Sequence, residues 1–113
     1  MLSPWQVWLV DFGQPVGGEQ GGVRPAVVVA SDLHCRFPIE MTIVVPLTTR
    51  DRGLPHHVPI SSSGAGLREP SWARTEDITA VSTARLVSRR PLGGLSVAER
   101  DAVRHWLRRM ISL

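Results

Sequence analysis

The 113-residue chain has no lysine and no tyrosine, one cysteine and only two phenylalanines. Each shortage removes a class of protein. A single cysteine, Cys35, excludes an intrachain disulfide or a cysteine cluster for zinc, and it suits a reducing compartment. No apolar run approaches the ~20 residues needed to cross a bilayer. The start, "MLSPWQVWLVDFG", lacks a basic leading region and soon meets Asp11, unlike a secretory signal, so a cytoplasmic protein is expected. With lysine missing, all 13 positive side chains are arginine, yet the formal net charge is only +3. That excess is too small for histone-like binding of nucleic acid but leaves room for a basic groove. A guanidinium fork grips two phosphate oxygens, whereas an ammonium acts as a point charge.

What is present reads as one domain, residues 1–113, with no internal repeat and no linker. Trp5 to Asp11, "WQVWLVD", alternates as a strand covered on both faces. Phe12 to Gly22 is a loop by its glycines and proline. Pro25 to Ala30 is a short central strand, with Pro25 confined to its first residue. Asp32 to Pro38 is irregular, Ile39 to Pro46 is a third strand, and Thr48 to Pro55 is a polar loop. His57 to Ser61 is a fourth strand running into a flexible turn, Ser61 to Gly66. Ser71 to Ser82 alternates throughout, placing Trp72, Arg74, Glu76 and Ile78 on one face of a fifth strand. Arg85 to Val87 adds a short strand. Ser96, with Glu99 three residues on, is a capping box opening a helix whose apolar face is Val103, Trp106, Leu107, Met110 and Ile111. The expected class is α+β: a small, strongly bent antiparallel sheet closed by one carboxy-terminal helix.

The stretch "GGEQGGVRPAVVVAS" sets a lone arginine, Arg24, at the mouth of an apolar strand, directly after a loop with almost no side chains. Together with "VVPLTT", "GLREPSWARTEDITAV" and "RLVSRRPLGGLSVAERDAVRHWL", it resembles the MazF/PemK/Kid family of toxin endoribonucleases. The resemblance runs over nearly the whole chain, and its most specific part is the G-E-Q-x-G-x-R-P loop. It implies an SH3-like barrel of the CcdB/PemK type, paired as a homodimer. It also implies metal-independent, sequence-selective cleavage of single-stranded RNA that inhibits growth. The target would be messenger RNA, or ribosomal or transfer RNA. No cofactor is implied. A MazE-like antitoxin would lay its carboxy-terminal tail in the RNA groove, and DNA would be met only through that antitoxin. No membrane is implied.

The chemistry fits those residues. RNA carries its own nucleophile, the 2′-hydroxyl. The enzyme must align it, stabilise charge on the phosphoryl oxygens and manage two protons. Arg24 matches the family's catalytic arginine, and Pro25 stiffens its backbone; Gly21 and Gly22 would let a phosphate backbone approach. The rival reading is a surface arginine paired with Asp11 or Glu19. Thr48 of the P-x-T motif matches the catalytic threonine, against a reading as a turn-capping loop residue. Arginine is a poor base near neutral pH, so Glu19 is the candidate base or base-orienting group, against a purely structural reading in which it caps loop amides. Gln20 and Gly22 in the first loop, and Thr49 and Arg50 in the third, would touch RNA, as would Arg74 and Glu76, matched to a basic–acidic pair of some relatives. The rival for that pair is a cross-strand ion pair. Trp72 or Trp8 could stack a base, while Trp5 and Trp106 belong in packing. His56 could touch RNA at the groove rim. Adjacent histidines on an extended segment point to opposite sides, so His56 and His57 are not expected to share a metal, and no metal site is expected. A gyrase-binding toxin of the CcdB type, on the same barrel, is the alternative; the ending "WLRRMISL", without a glycine, speaks against it.

Overall fold

A curled antiparallel sheet wraps one side of a carboxy-terminal helix in this computed structural model, which describes residues 2–17 and 21–112. Seven strands occur among the described residues: β1 (Gln6–Asp11), β2 (Val23–Val28), β3 (Met41–Thr48), β4 (His57–Ile60), β5 (Ser71–Arg74), β6 (Thr79–Ser82) and the two-residue β7 (Gly93–Gly94). The helices are α1 (Asp32–Arg36) and α2 (Val97–Met110). The strand order is β4-β5-β3-β2-β1-β7, with β6 also paired to β3. This is the expected α+β half-barrel with its terminal helix.

β3 is the spine. Its first residues pair with β6, its middle with β2 and its last two with β5. Strand alternation then divides the core in two. One set, including Val7, Val27, Val45, Leu47, Val58, Ile60 and Ala73, packs under Val103, Trp106 and Leu107 of α2. The other set, Trp8, Val10, Ala26, Val28, Val44 and Val81, lies on the opposite face under Leu2, Phe12, Cys35 and Leu86. The helix begins as its sequence dictates. Ser96 Oγ accepts the Glu99 N–H at 3.2 Å, and Glu99 Oε1 accepts the Ser96 N–H at 3.0 Å. Met110 is the exception on the expected apolar face: it is 40% exposed, at the residue where the helix ends.

Several elements depart from the sequence reading, each for a physical reason. Residues 71–82 do run along β3, but not as one strand. Leu47 pairs with Ala73 and Val44 with Thr79, so three steps along β3 match six along its partner. The three extra residues form the 3-10 turn Thr75–Asp77. The alternation is therefore broken: Trp72 and Arg74 keep one face, Ile78 packs into the helix-side core, and Glu76 sits on the turn. Pro25 is the third residue of β2, not the first. Leu9, opposite it, spends its backbone N–H and C=O on Ser88 and Val87, so the missing N–H of Pro25 faces away from β1. On that side the ladder to β3 starts only at Ala26, so nothing is lost. Asp32–Arg36 is helical rather than irregular, capped by Ser31 Oγ accepting the His34 N–H at 3.1 Å. The turn after β4 contains a 3-10 helix, Ser63–Ala65, whose Ala65 is fully buried. Arg85 ends another 3-10 turn, Thr83–Arg85, and only Leu86 bridges to Val10.

Candidate functional site

β3 extends through Thr48, which is thus a strand residue and not part of the following loop. Its place is defined by Trp72, its partner in β5. The last β2–β3 pair is Ala26 with Pro46, and Arg24 and Thr48 each lie two residues beyond it. Here the two strands part, because Pro25 cannot bond across and β3 turns to β5. Alternation puts Arg24, Thr48, Trp72, Arg74 and His57 on the face away from α2.

Arg24 is exposed, and its Nε donates to the Gly21 carbonyl at 2.8 Å. That bond orients the side chain and leaves both Nη groups of the fork for an anion. No ion pair of Arg24 occurs among the described residues; the Asp11 carboxylate instead accepts the Gly13 N–H at 2.9 Å. The loop base is pinned by two bonds between Phe12, Gly13 and Gly22, each 2.9 Å. Gly22 holds φ at 73°, and a Cβ on Gly21 would stand 2.5 Å from Cδ of Pro15. The glycine pair is therefore required by the loop's own folding, while the space beside Gly22 stays open. Glu19 and Gln20 lie outside the described residues.

Thr48 is 8% exposed. Its Oγ1 accepts the Arg50 N–H at 3.1 Å, so the hydroxyl proton remains available to donate. The turn-capping role weighed against catalysis is thus present, and it fixes the hydroxyl. Thr49 and Arg50 follow on the exposed surface. Trp72 is half-buried, whereas Trp8 is buried, its Nε1 donating to Gln6 Oε1 at 3.0 Å, which removes it from base stacking. Trp5 is half-buried beneath the Arg104 guanidinium, 4.9 Å from the ring centre.

The two histidines do not diverge. His57 opens β4 opposite Arg74, and a turn, with the His57 N–H on the Leu54 carbonyl, bends the chain just before it. Both rings consequently reach Glu76. His57 Nε2 lies 3.0 Å from each carboxylate oxygen, and His56 Nε2 lies 3.4 Å from Oε1. His57 Nδ1 is buried without a partner among the described residues, so the ring's polar contacts run through Nε2. The basic–acidic pair is formed, though around a turn: Arg74 Nε is 3.8 Å from Glu76 Oε2, and its Nη2 is 2.9 Å from Asp77. Partial burial works to raise the Glu76 pKa. The hydrogen bond from His57, a backbone N–H and the charge of both imidazoles outweigh it and hold the carboxyl below its ordinary range. A groove of about 380 Å³ runs along Pro46, Glu76, Asp77, Thr79 and Arg85. A second cavity, about 470 Å³, opens where β2 and β3 part, between Leu9, Pro25, Thr49, Leu67 and Ser71.

The family profile described as "PemK-like, MazF-like toxin of type II toxin-antitoxin system" matches residues 3–111. The chain belongs to this family. It is 34% identical over 104 residues to endoribonuclease MazF9 of Mycobacterium tuberculosis, covering 88% of this chain and 86% of that one. It is 32% identical over 84 residues to endoribonuclease EndoA of Bacillus subtilis, covering 74% and 72%. Among solved structures, an endoribonuclease in complex with its cognate antitoxin from a mycobacterial species superposes with a TM-score of 0.81. That likeness covers 100% of this chain and 97% of the other at 21% identity, which speaks for the fold. In this MazF-like toxin, sequence reasoning missed Asp77 and the shared role of His57. The cue was the crowding of "HH" and "TED", but no alternation rule brings residues 20 apart onto one carboxylate.

Proposed function

We propose that this MazF-like toxin cuts single-stranded RNA at selected sites by directing the substrate's own 2′-hydroxyl onto the adjacent phosphorus. The products are a 2′,3′-cyclic phosphate and a 5′-hydroxyl. The observation that supports the reading is Arg24, exposed and pinned through Nε, on the same sheet face as Thr48, each two residues beyond the last β2–β3 pair. Arg24 stabilises the extra charge on the phosphoryl oxygens. Thr48 donates its proton to a phosphoryl oxygen or to the departing 5′-oxygen. Glu19 takes the 2′ proton or orients the group that does. Because the nucleophile comes with the RNA, no metal-bound water is needed.

Gln20, Gly22, Thr49, Arg50, His56, Trp72, Arg74 and Glu76 hold the strand around that bond. An acidic antitoxin tail of the MazE type occupies the same groove and silences the toxin in the cytoplasm. Two copies pair; the exposed apolar run Leu33, Phe37, Ile39 and Met41 supports this. The test is an RNA with 2′-deoxyribose at the scissile position, assayed in chelator. The all-ribose RNA is cut and the deoxy version is not. Cutting of the deoxy substrate overturns the mechanism, as does loss of all cutting in chelator.

A further inference from the structure

We propose that His56, His57 and Glu76 form a binding site for one divalent transition-metal ion of the zinc type, and that its occupancy slows RNA cleavage. Two imidazoles and a carboxylate suit zinc and its d-block neighbours rather than magnesium or calcium. One donor atom from each of the three residues lies within 4.8 Å of the other two. The closest approaches, 3.0 Å from His57 and 3.4 Å from His56 to the carboxylate, match the donor spacing of a tetrahedral ion, on the order of 3.3 Å for bonds of ~2.0–2.1 Å. A small rotation of the exposed partners closes the site. The frame is stiff: the His57 side chain is 1% exposed, and Thr75 Oγ1 donates to the His56 carbonyl at 2.7 Å.

The site is also reachable. The His56 and Glu76 side chains are 21% and 33% exposed, which gives an ion an approach and leaves a fourth position for water. The nearby Arg74 opposes a cation, yet it is itself held by Asp77, so Glu76, Asp77 and Arg74 together carry one net negative charge. A bound ion takes up the Glu76 lone pairs that face the groove and fixes the His56 ring. The braking consequence rests on the RNA reading above; metal binding does not.

The full chain, stripped with chelator, is titrated with cobalt(II), followed by its visible absorption and by competition with zinc. One equivalent per chain is expected, with affinity lowered about tenfold or more in Glu76→Gln and in His56→Ala. Both variants change partly exposed side chains, and thermal melting checks that they fold. No visible band, or a band unchanged in both folded variants, overturns the site. Cleavage of RNA with and without saturating zinc is then compared. A rate ratio of about ten or more in the natural protein, falling toward one in His56→Ala, supports the brake. Stoichiometric zinc with unaltered cleavage overturns the brake alone, and the deoxyribose test judges the RNA reading separately.

Discussion

The two faces of the sheet are made from the same strands yet carry different side chains. Toward α2 their core is Val, Leu, Ile and Ala, closed by Val103 and Trp106. On the other face, apolar residues fill the centre, but the rim near the β2–β3 split carries Arg24, Thr48, Trp72, Arg74 and His57. Leu47 and Thr48 are neighbours in β3 and point opposite ways: one is sealed in the core, the other holds a hydroxyl at the rim. Because strand side chains alternate, one rigid element can serve stability with one residue and chemistry with the next. The polar rim then needs no packing sacrifice from the helix side.

That division can be broken, starting with the largest effect. Arg24→Ala removes an exposed charge donor from the rim. Cleavage measured by mapping 5′-hydroxyl ends falls ~10²–10³-fold, while the melting temperature stays put. Leu47→Ala does the reverse. A cavity under α2 costs about 2–5 kcal/mol in urea unfolding, and the folded molecules keep their turnover. Thr48→Ala, one residue on, lowers turnover and barely moves the urea midpoint. Full activity in Thr48→Ala, or matched losses in both, would show that the two faces are not separate. A smaller effect is Ser96→Ala, which breaks the capping box and costs about 1 kcal/mol of stability.

The smallest sharpens the helix side with pH. Burial tends to raise the Glu99 pKa, but bonds from the Ser62 hydroxyl and from the Ser96, Ser62 and Ser61 N–H groups lower it to about 2 from an ordinary 4.5. A carboxylate whose pKa falls on folding stabilises the native state above the unfolded value. That stability is fully present above pH 4.5 and is lost as pH drops from 4.5 toward 2. Urea midpoints at pH 5.5 and pH 3 should therefore diverge in the natural protein and differ by less in Glu99→Gln, where the lowered carboxyl of Glu76 still contributes. Cleavage per folded molecule should not follow Glu99.

Much of this was legible locally. The capping box at Ser96 and Glu99 needs only three residues, and the aliphatic run after Arg24 needs only alternation. The site's first half, Arg24 after its glycine loop, is likewise a local pattern. The second half was named from its motifs, but its placement was not legible. Thr48 read as a loop residue because "TTRDRG" is polar, whereas pairing to Trp72 carries the strand through it. The break at Thr75 is invisible to alternation, since "WARTEDITAV" alternates well; the three-residue offset comes from β3 meeting two partners at different registers. His56 and His57 diverge only on an extended segment, and a turn at that point brings both rings to Glu76.

The amino-acid order alone determined the alternation of β1 and β2 and the capped helix, because each depends on neighbours within a few positions, and its motifs along nearly the whole chain carry the family. Tertiary structure alone decided that Arg24 and Thr48 share one sheet face where β2 and β3 part, that two histidines share one carboxylate, and that Asp77 holds Arg74. Those meetings join residues far apart in the chain, and they follow from strand register. Register is set by the packing of all the strands at once and by the missing N–H of a proline at their parting.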